Sequence, residues 1–580
     1  MILDFPRKGQ RQNLLCQIIG SRENEIDPHG EKRPKGPTRI NKRLLLLMPY
    51  QEDQQAPLAP LDVVIIGAGA AGLSAARALL ASDPDHKSIQ TVTIVEAASY
   101  VGGRVDSDDD FVPGNRIDLG AEFIHGHGTM LTDVVEANKE RWEEEQLNGL
   151  LLEEIFIASH ADGGPGKDPT KDGKYGVYYL SKEDKILRYD TDDEDFCRMS
   201  DALSSLVHME IDGAEAAIFT GEASCDASDP TSSAIDKSMS LADYLDETSA
   251  ISPRMTGLLD AGYGNTAACT DLGQISLQAH VDFEKYWDAN EEEGDVRLHP
   301  RIGMVGVVDA LREEIESDSR CRILLNWTVK TVEWEQEVTI TSSLGERILA
   351  NKVIVTAPPP VITLEQNLQF QPPLPQWKLD AFNMVGMERA IKVILKFNQR
   401  VWPEDVQTVI SEEGPHSMVP EVWFRDVTET RQGETKQIHL AVCFLTSKAA
   451  DAFLKKIDTM IQLEKYTSTN VPLERQKINA AADVVIDQLA TVFPKSKADI
   501  QAAYISAIMH DWGNVETIKG GYMYPKVGIT RQHFSDLARS LGHRLFFAGE
   551  ATNTGACCTV QAAMETGVRA ANQILENNNS

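Results

Sequence analysis

From Leu58 onward, apolar and polar residues fall into blocks that read as ordered elements. Leu61 to Ile66 is a short apolar, β-rich run, and an Ala/Leu-rich stretch from Ala70 through Leu80 predicts a helix. A second β-rich run, Thr91 to Val95, ends at Glu96. The segment from Cys321 to Pro360 alternates apolar and polar residues over several short runs, which predicts a small β-meander. Its last run, Val353 to Thr356, meets three consecutive prolines, Pro358 to Pro360, and these must end the strand. Ile391 to Phe397 predicts another strand. Residues 446–500 predict helices, with Val484, Val485, Ile486 and Leu489 as apolar positions. Clusters of Gly, Asp, Ser and Pro between residues 160 and 235, including Asp162 to Pro165 and Glu222 to Ser233, predict surface loops. Residues 1–57 read as a poorly ordered leader, and no internal repeat or heptad pattern is present.

Composition narrows the class. The 580 residues suffice for about two to four domains, and 42% hydrophobic with 25% charged residues is ordinary for a globular protein. The net charge of −32 argues against nucleic acid or an anionic membrane as the main partner and favours cationic ligands. Charge is unevenly placed. The first fifty residues hold ten Lys/Arg against five Asp/Glu, whereas residues 51–580 hold 46 against 83. A basic head on an acidic body fits either a disordered extension or an organelle transit segment, with a cytoplasmic protein as the default expectation. The four leucines Leu44 to Leu47 are far short of the roughly 20 residues of a membrane helix. The eight cysteines form no CxxC pair, which fits reduced thiols and no metal site. Cys557 and Cys558 are adjacent, too cramped for an ordinary bridge, and read as a packing feature.

The run Gly67-Ala68-Gly69-Ala70-Ala71-Gly72 between the first strand and the helix gives these elements chemical meaning. Strand, glycine turn, helix, strand and acid follow in the order a dinucleotide fold requires. Gly67 permits the tight turn, Gly69 lets backbone approach a pyrophosphate, and Gly72 lets the helix pack close, with Ala70 and Ala71 opening that helix. The helix N-terminus offers N–H donors and its positive dipole end to the phosphates. Glu96 would accept hydrogen bonds from an adenosine ribose, which favours NAD or FAD over NADP. It lies 29 residues after Gly67, beyond the usual twenty or so, because the polar insert Ser82 to Gln90 lengthens the unit.

Gly102-Gly103-Arg104 and Ile117-Asp118-Leu119-Gly120-Ala121-Glu122-Phe123-Ile124-His125-Gly126 follow. These segments resemble the second flavin-contact motif and the flavin-facing loop of the flavin amine oxidase superfamily, which includes monoamine and polyamine oxidases, histone demethylases and L-amino-acid oxidases. The resemblance implies FAD. Arg104 would neutralise pyrophosphate charge, and Gly120, Ala121 and Glu122 would lie along the isoalloxazine ring. Near the other end, Leu545 to Glu550 reads as a buried strand ending in Gly549 and Glu550, and Thr559-Val560 opens a helix with Thr559 as N-cap. In the family, Gly549 and Glu550 would meet the ribityl chain, and the helix N-terminus would face the ring's pyrimidine end. The resemblance covers nearly all of residues 60–575.

Lys392, within Ile391 to Phe397, resembles the family lysine that holds a water beside flavin N5. Strand alternation puts Lys392 and Lys396 on one face, so one of the two can simply be solvated. Trp512 and Tyr522 match the segment that lays aromatic rings beside flavin and substrate amine. His125 matches a histidine common in polyamine oxidases, with a structural histidine equally open. Gly521 stands where monoamine oxidases carry the cysteine bonded to flavin, so FAD is expected to be non-covalent. The implied fold is α/β with two domains. A discontinuous Rossmann-like FAD-binding domain would comprise residues 58–145, 295–360 and 501–580, with Val329 in its middle β-rich stretch. A mixed-sheet and helix substrate domain would comprise 146–294 and 361–500. The implied reaction is hydride transfer from the carbon next to an amine nitrogen to flavin N5, with O2 reduced to H2O2. The amine leans to spermine or spermidine. A monoamine oxidase, an L-amino-acid oxidase, a demethylase-like enzyme and an FAD-binding scaffold protein are the alternatives.

Overall fold

The computed structural model describes residues 60–144, 151–155, 175–188, 191–207, 239–247, 251–288, 295–364, 367–462, 471–493, 495–555 and 557–579. The expected leader and the loop clusters Asp162 to Pro165 and Glu222 to Ser233 lie outside them. Residues 59–580 form one unit, organised by two large sheets.

The first sheet starts with β1 (Leu61–Ile66), followed by helix α1 (Ala70–Ser82) and strand β2 (Val92–Val95). Val63 to Ile66 and all of β2 are buried, as strands covered on both faces must be. β1 runs parallel to β2 and to Arg347–Val355. Cys321–Leu324 extends the parallel set beyond β2, and Leu545–Phe547 pairs parallel with Arg347–Val355. The expected meander is present as Val329–Glu333, Val338–Ser342 and Arg347–Val355, paired antiparallel. It stops at Val355, and Pro359 opens a short helix, Pro359–Thr363. Proline lacks the N–H that a further ladder bond would need.

The second sheet contains β3 (Ala390–Phe397), β4 (Glu421–Arg431), β5 (Glu434–Thr446) and β6 (Tyr504–Asp511). Its order is β6, β3, β5, β4, Val406–Ser411, Tyr175–Leu180, Lys185–Arg188. The helices expected within 446–500 are Ser447–Met460 and Leu473–Val492, with Lys497–Ala503 after them. Their residues Phe453, Ile457, Val485, Ile486 and Leu489 pack on Ile391, Val393 and Leu395 of β3. Period-two alternation therefore turns Lys392, Ile394 and Lys396 to the opposite face. Sheet membership departs from the expected boundaries at 360 and 501. Gln369–Gln371 joins the first sheet beside Val329–Glu333, and β6 belongs to the second.

Helix α2 (Val560–Asn579) returns to the first sheet and packs on α1, where a Cβ at Gly567 would lie 2.1 Å from Ala71 O. Among the described residues, no helix is long and apolar enough to cross a membrane, and no group of ligating side chains could hold a metal ion.

Candidate active site

A cavity of about 670 Å³ is lined from both sheets. On the β1 side its wall is the glycine turn. Gly67 has φ +109°, and a Cβ there would lie 2.4 Å from Thr356 Oγ1. A Cβ at Gly72 would lie 2.0 Å from Gly67 O, so the close seating of α1 demands glycine. Gly69 differs, because a Cβ there would meet only Gly102 O at 3.8 Å. The protein does not need glycine at 69 for its own packing. The cavity does, because Gly69, Ala70, Ala71 and Gly103 all line it. Glu96 closes this end. Its carboxylate accepts from Ala68 N at 2.7 Å and from Ala98 N at 2.7 Å, while burial pushes its pKa upward.

Arg104, expected against phosphate, is engaged by protein: Nη1 donates to Gly521 O and to Glu550 Oε1, both at 2.8 Å. Glu550 also accepts from Cys558 N at 3.2 Å, so both its oxygens brace the C-terminal segment. Gly549 holds φ +122° and donates to Thr566 Oγ1. Thr559 caps α2 as expected, its Oγ1 accepting from Ala562 N at 3.1 Å. Gly120 is required sterically, since a Cβ would lie 1.8 Å from Arg104 O and 3.0 Å from the Trp512 ring. Trp512 is buried and donates its indole N–H to Leu119 O at 3.0 Å. Ala121, Val329, Val560, Gly549 and Trp512 all line the cavity.

Lys392 and Lys396 are both buried, so neither is the solvated lysine that strand alternation alone allowed. Lys396 pairs with Glu429 at 2.7 Å. Lys392 Nζ donates to Asp118 O at 3.1 Å, Gly120 O at 3.0 Å and Glu122 Oε2 at 3.1 Å, which uses all three ammonium protons. Glu122 is an internal counter-ion as well as a lining residue, for Arg297 lies at 3.4 Å and Arg425 at 3.7 Å from it. Burial alone would raise its pKa, but Lys392, Arg297 and Arg425 together hold it below the usual value. Asp118 is driven the other way by burial and by the charge of Glu122. His125 lines the cavity with Nδ1 2.6 Å from Asp295 Oδ1.

Past Lys392 the cavity becomes an aromatic chamber. Trp423 and Phe444 stack with centroids 5.6 Å apart, Phe444 and Tyr522 stack at 6.4 Å, and Phe123 meets Trp423 edge-on at 5.0 Å. The Tyr522 hydroxyl donates to Thr266 O, and burial pushes its pKa well up. Thr266 in turn donates its hydroxyl to Glu421, which is fully buried. Trp423, Phe444, Thr266, Glu421, Arg297 and Arg425 are absent from the sequence-level candidates. The register explains how they meet: Lys392 pairs with Phe444 on β5, and Phe444 pairs with Glu421 on β4.

Whether the residues fit a large polar cofactor is tested by Gly69 and Gly103. Both line the cavity, and a Cβ would meet only Gly102 O at 3.8 Å from Gly69 and only Gly69 Cα at 3.5 Å from Gly103. Backbone kept clear of side chains at the start of α1 fits a dinucleotide pyrophosphate.

A family model for flavin containing amine oxidoreductases matches residues 70–575. The chain belongs to this family. Its cofactor is therefore FAD, and the glycine wall is consistent with that. Human lysine-specific histone demethylase 2 is 24% identical over 88% of this amine oxidoreductase, an alignment covering 53% of that protein, or about half its length. Polyamine oxidase 2 of Arabidopsis thaliana is 25% identical over 88% of this chain and 87% of its own. Solved structures share the fold. Putrescine oxidase bound to putrescine superposes with a TM-score of 0.63 at 19% identity, covering 90% of this chain and all of its own. Cyclohexylamine oxidase from Brevibacterium oxydans gives 0.62 at 21%, with the same coverage.

Proposed function

We propose that this protein is an FAD-dependent oxidase of polyamines such as spermine or spermidine, with O2 as the final acceptor. The observation that carries the reading is the row Lys392, Phe444, Glu421 across β3, β5 and β4. With strands about 4.8 Å apart, the buried acid lies roughly 10 Å along the row from the lysine. A substrate with one amine in the aromatic chamber would thus have a second, cationic nitrogen in reach of the Glu421 field, transmitted through Thr266. The aromatic faces of Trp423, Phe444 and Tyr522 favour an amine and favour a cation more strongly. Supporting the same reading, the polyamine oxidase of Arabidopsis aligns over most of both chains.

FAD, when bound, supplies the two-electron acceptor for oxidation of the carbon next to the amine nitrogen. The chain's part is to bind, orient and dry the site. Gly67, Gly69, Ala70, Ala71, Gly72, Gly103 and Glu96 would hold the adenosine and phosphates. Gly120, Ala121, Val329, Trp512, Gly549, Thr559 and Val560 would line the ring, with Arg104 and Glu550 bracing the segments that do so. Lys392 presents a fixed positive charge, and holding a water there would require exchanging one of its three present acceptors. His125, oriented by Asp295, and Tyr522 would border the amine. At Gly521 a Cβ would lie 2.7 Å from Ala390 Cβ and 2.8 Å from Cys269 Sγ, so this position has no room for a bonding side chain. That supports non-covalent FAD, and acid precipitation should release the flavin intact.

The deciding experiment mixes purified holoprotein anaerobically with spermine, spermidine, a simple monoamine and an L-amino acid while following the visible flavin band. Rapid bleaching by the polyamines is expected. Bleaching only by a monoamine or an amino acid moves the assignment to those substrates, and FAD that no amine bleaches ends the oxidase reading.

A further inference from the structure

Helix Pro253–Leu259 runs on without a break into a π-helical turn, Asp260–Ala267. A π turn gives up the i→i−4 ladder, so contacts outside the helix must hold its wider coil. Buried Asn265 supplies them: Oδ1 accepts from Thr446 N at 2.8 Å and Thr446 Oγ1 at 2.9 Å, and Nδ2 donates to Phe444 O at 3.3 Å. Asp260 anchors the start by accepting from Leu272 N at 2.9 Å. The turn is thereby fixed to β5 beside Phe444, and Tyr263, Thr266 and Ala267 form its face on the cavity.

Thr266 stands out on that face because the hydroxyl protons around it are already committed. Its own hydroxyl donates to the buried carboxylate of Glu421, and the Tyr522 hydroxyl donates to its carbonyl oxygen. An ionised carboxylate only accepts, so the Thr266 proton stays on that side and Oγ1 has lone pairs alone to offer a ligand. Donating to an anion also polarises the hydroxyl and strengthens it as an acceptor. We propose that Thr266 selects the distant nitrogen of the substrate by its N–H, Oγ1 accepting from a primary, secondary or tertiary ammonium. The rings of Trp423, Phe444 and Tyr522 attract any cation, a quaternary one included, and so do not make this choice. A carboxylate at that position would meet lone pairs alone and be refused. The inference rests on the polyamine reading, which puts a second nitrogen near Glu421, and adds what that nitrogen must carry.

Calorimetric titration of full-length holoprotein tests it with two dications that have the terminal spacing of spermidine, octane-1,8-bis(dimethylammonium) and octane-1,8-bis(trimethylammonium). Only the first carries N–H donors. Wild type should bind it about tenfold or more tightly than the second. Thr266→Ser should keep that preference, and Thr266→Val, which has the same shape without the hydroxyl, should lose it. Equal binding of the two dications by wild type overturns the proposal. So does a preference that survives in Thr266→Val, the mark of a purely steric choice. Should Thr266→Val not fold, Glu421→Gln decides, because its amide can donate to Oγ1 and consume the acceptor; an undiminished preference there overturns the proposal. The readout is binding, so it separates from the polyamine reading. Spermidine that fails to bleach the flavin sinks that reading, whereas bleaching by spermidine with no N–H preference sinks this one.

Discussion

On the Gly67 side the cavity wall is backbone, and on the Lys392 side it is side chain. The first wall works by withholding atoms: Gly67 and Gly72 are dictated by contacts within the protein, and Gly69 and Gly103 leave space at the cavity surface. The second works by placing charge and π-surface, with Lys392, Glu122, Arg297 and Arg425 buried together and Glu421 two strands away. Removing space from the first wall should therefore weaken cofactor binding or prevent folding. Altering the second should change rates and selectivity in a protein that still holds its cofactor. The difference is between a shape and a field.

The largest effect that would break this contrast is Gly72→Ala. Its Cβ would fall 2.0 Å from the backbone oxygen of Gly67, and the expected loss exceeds about 4 kcal/mol, read as collapse of soluble yield and melting temperature. A well-folded variant would show that α1 can shift, and the backbone wall would lose its claim to rigidity. Next comes Lys392→Met, which should cut the rate of flavin reduction or reoxidation by at least about 100-fold with FAD retained. Stopped-flow absorbance checks this, and an unchanged rate removes Lys392 from the chemistry. Gly69→Ala and Glu421→Gln, each about tenfold, sharpen the comparison from either side. The first should weaken FAD binding while leaving apoprotein stability near wild type. The second should raise KM for spermidine and leave a monoamine untouched; equal effects on both amines would assign Glu421 to packing.

The smallest effect concerns acid. His510 lies opposite Lys392 in the β3–β6 pairing, and burial followed by the charge of Lys392 depresses its pKa. The unfolded chain then binds a proton that the native state refuses. Stability should fall as pH drops below the ordinary histidine value of about 6.5. Gln in place of His510 should flatten that limb of a melting-temperature profile, and an identical profile would place the acid sensitivity elsewhere.

The backbone wall was legible because its information is local. Gly67 to Gly72 sit in one turn, and the strands and helix around them follow from short apolar periods. Thr559 could be read as an N-cap for the same reason. The side-chain wall depends on register between strands separated by tens of residues, so Trp423, Phe444 and Glu421 carry no local mark of a shared site. Lys396 shows the limit in small. Alternation gave the face it shares with Lys392, but its burial comes from Glu429 on β4 and from Phe111 O, partners that alternation does not reveal. Arg104 is a similar case: its charge was evident, and its commitment to Glu550 came from a segment more than four hundred residues away.

That long-range pairing sets a schedule for assembly. Strand Leu545–Phe547 docks on a sheet whose first strand is Leu61–Ile66, and Gly549, Glu550, Cys558, Thr559 and Val560 finish the cavity begun at Gly67. During synthesis the nascent chain must keep an unfinished, apolar sheet edge waiting until those late residues emerge. Flavin uptake should then wait for this late segment to dock, and retention of the yellow cofactor should report that docking.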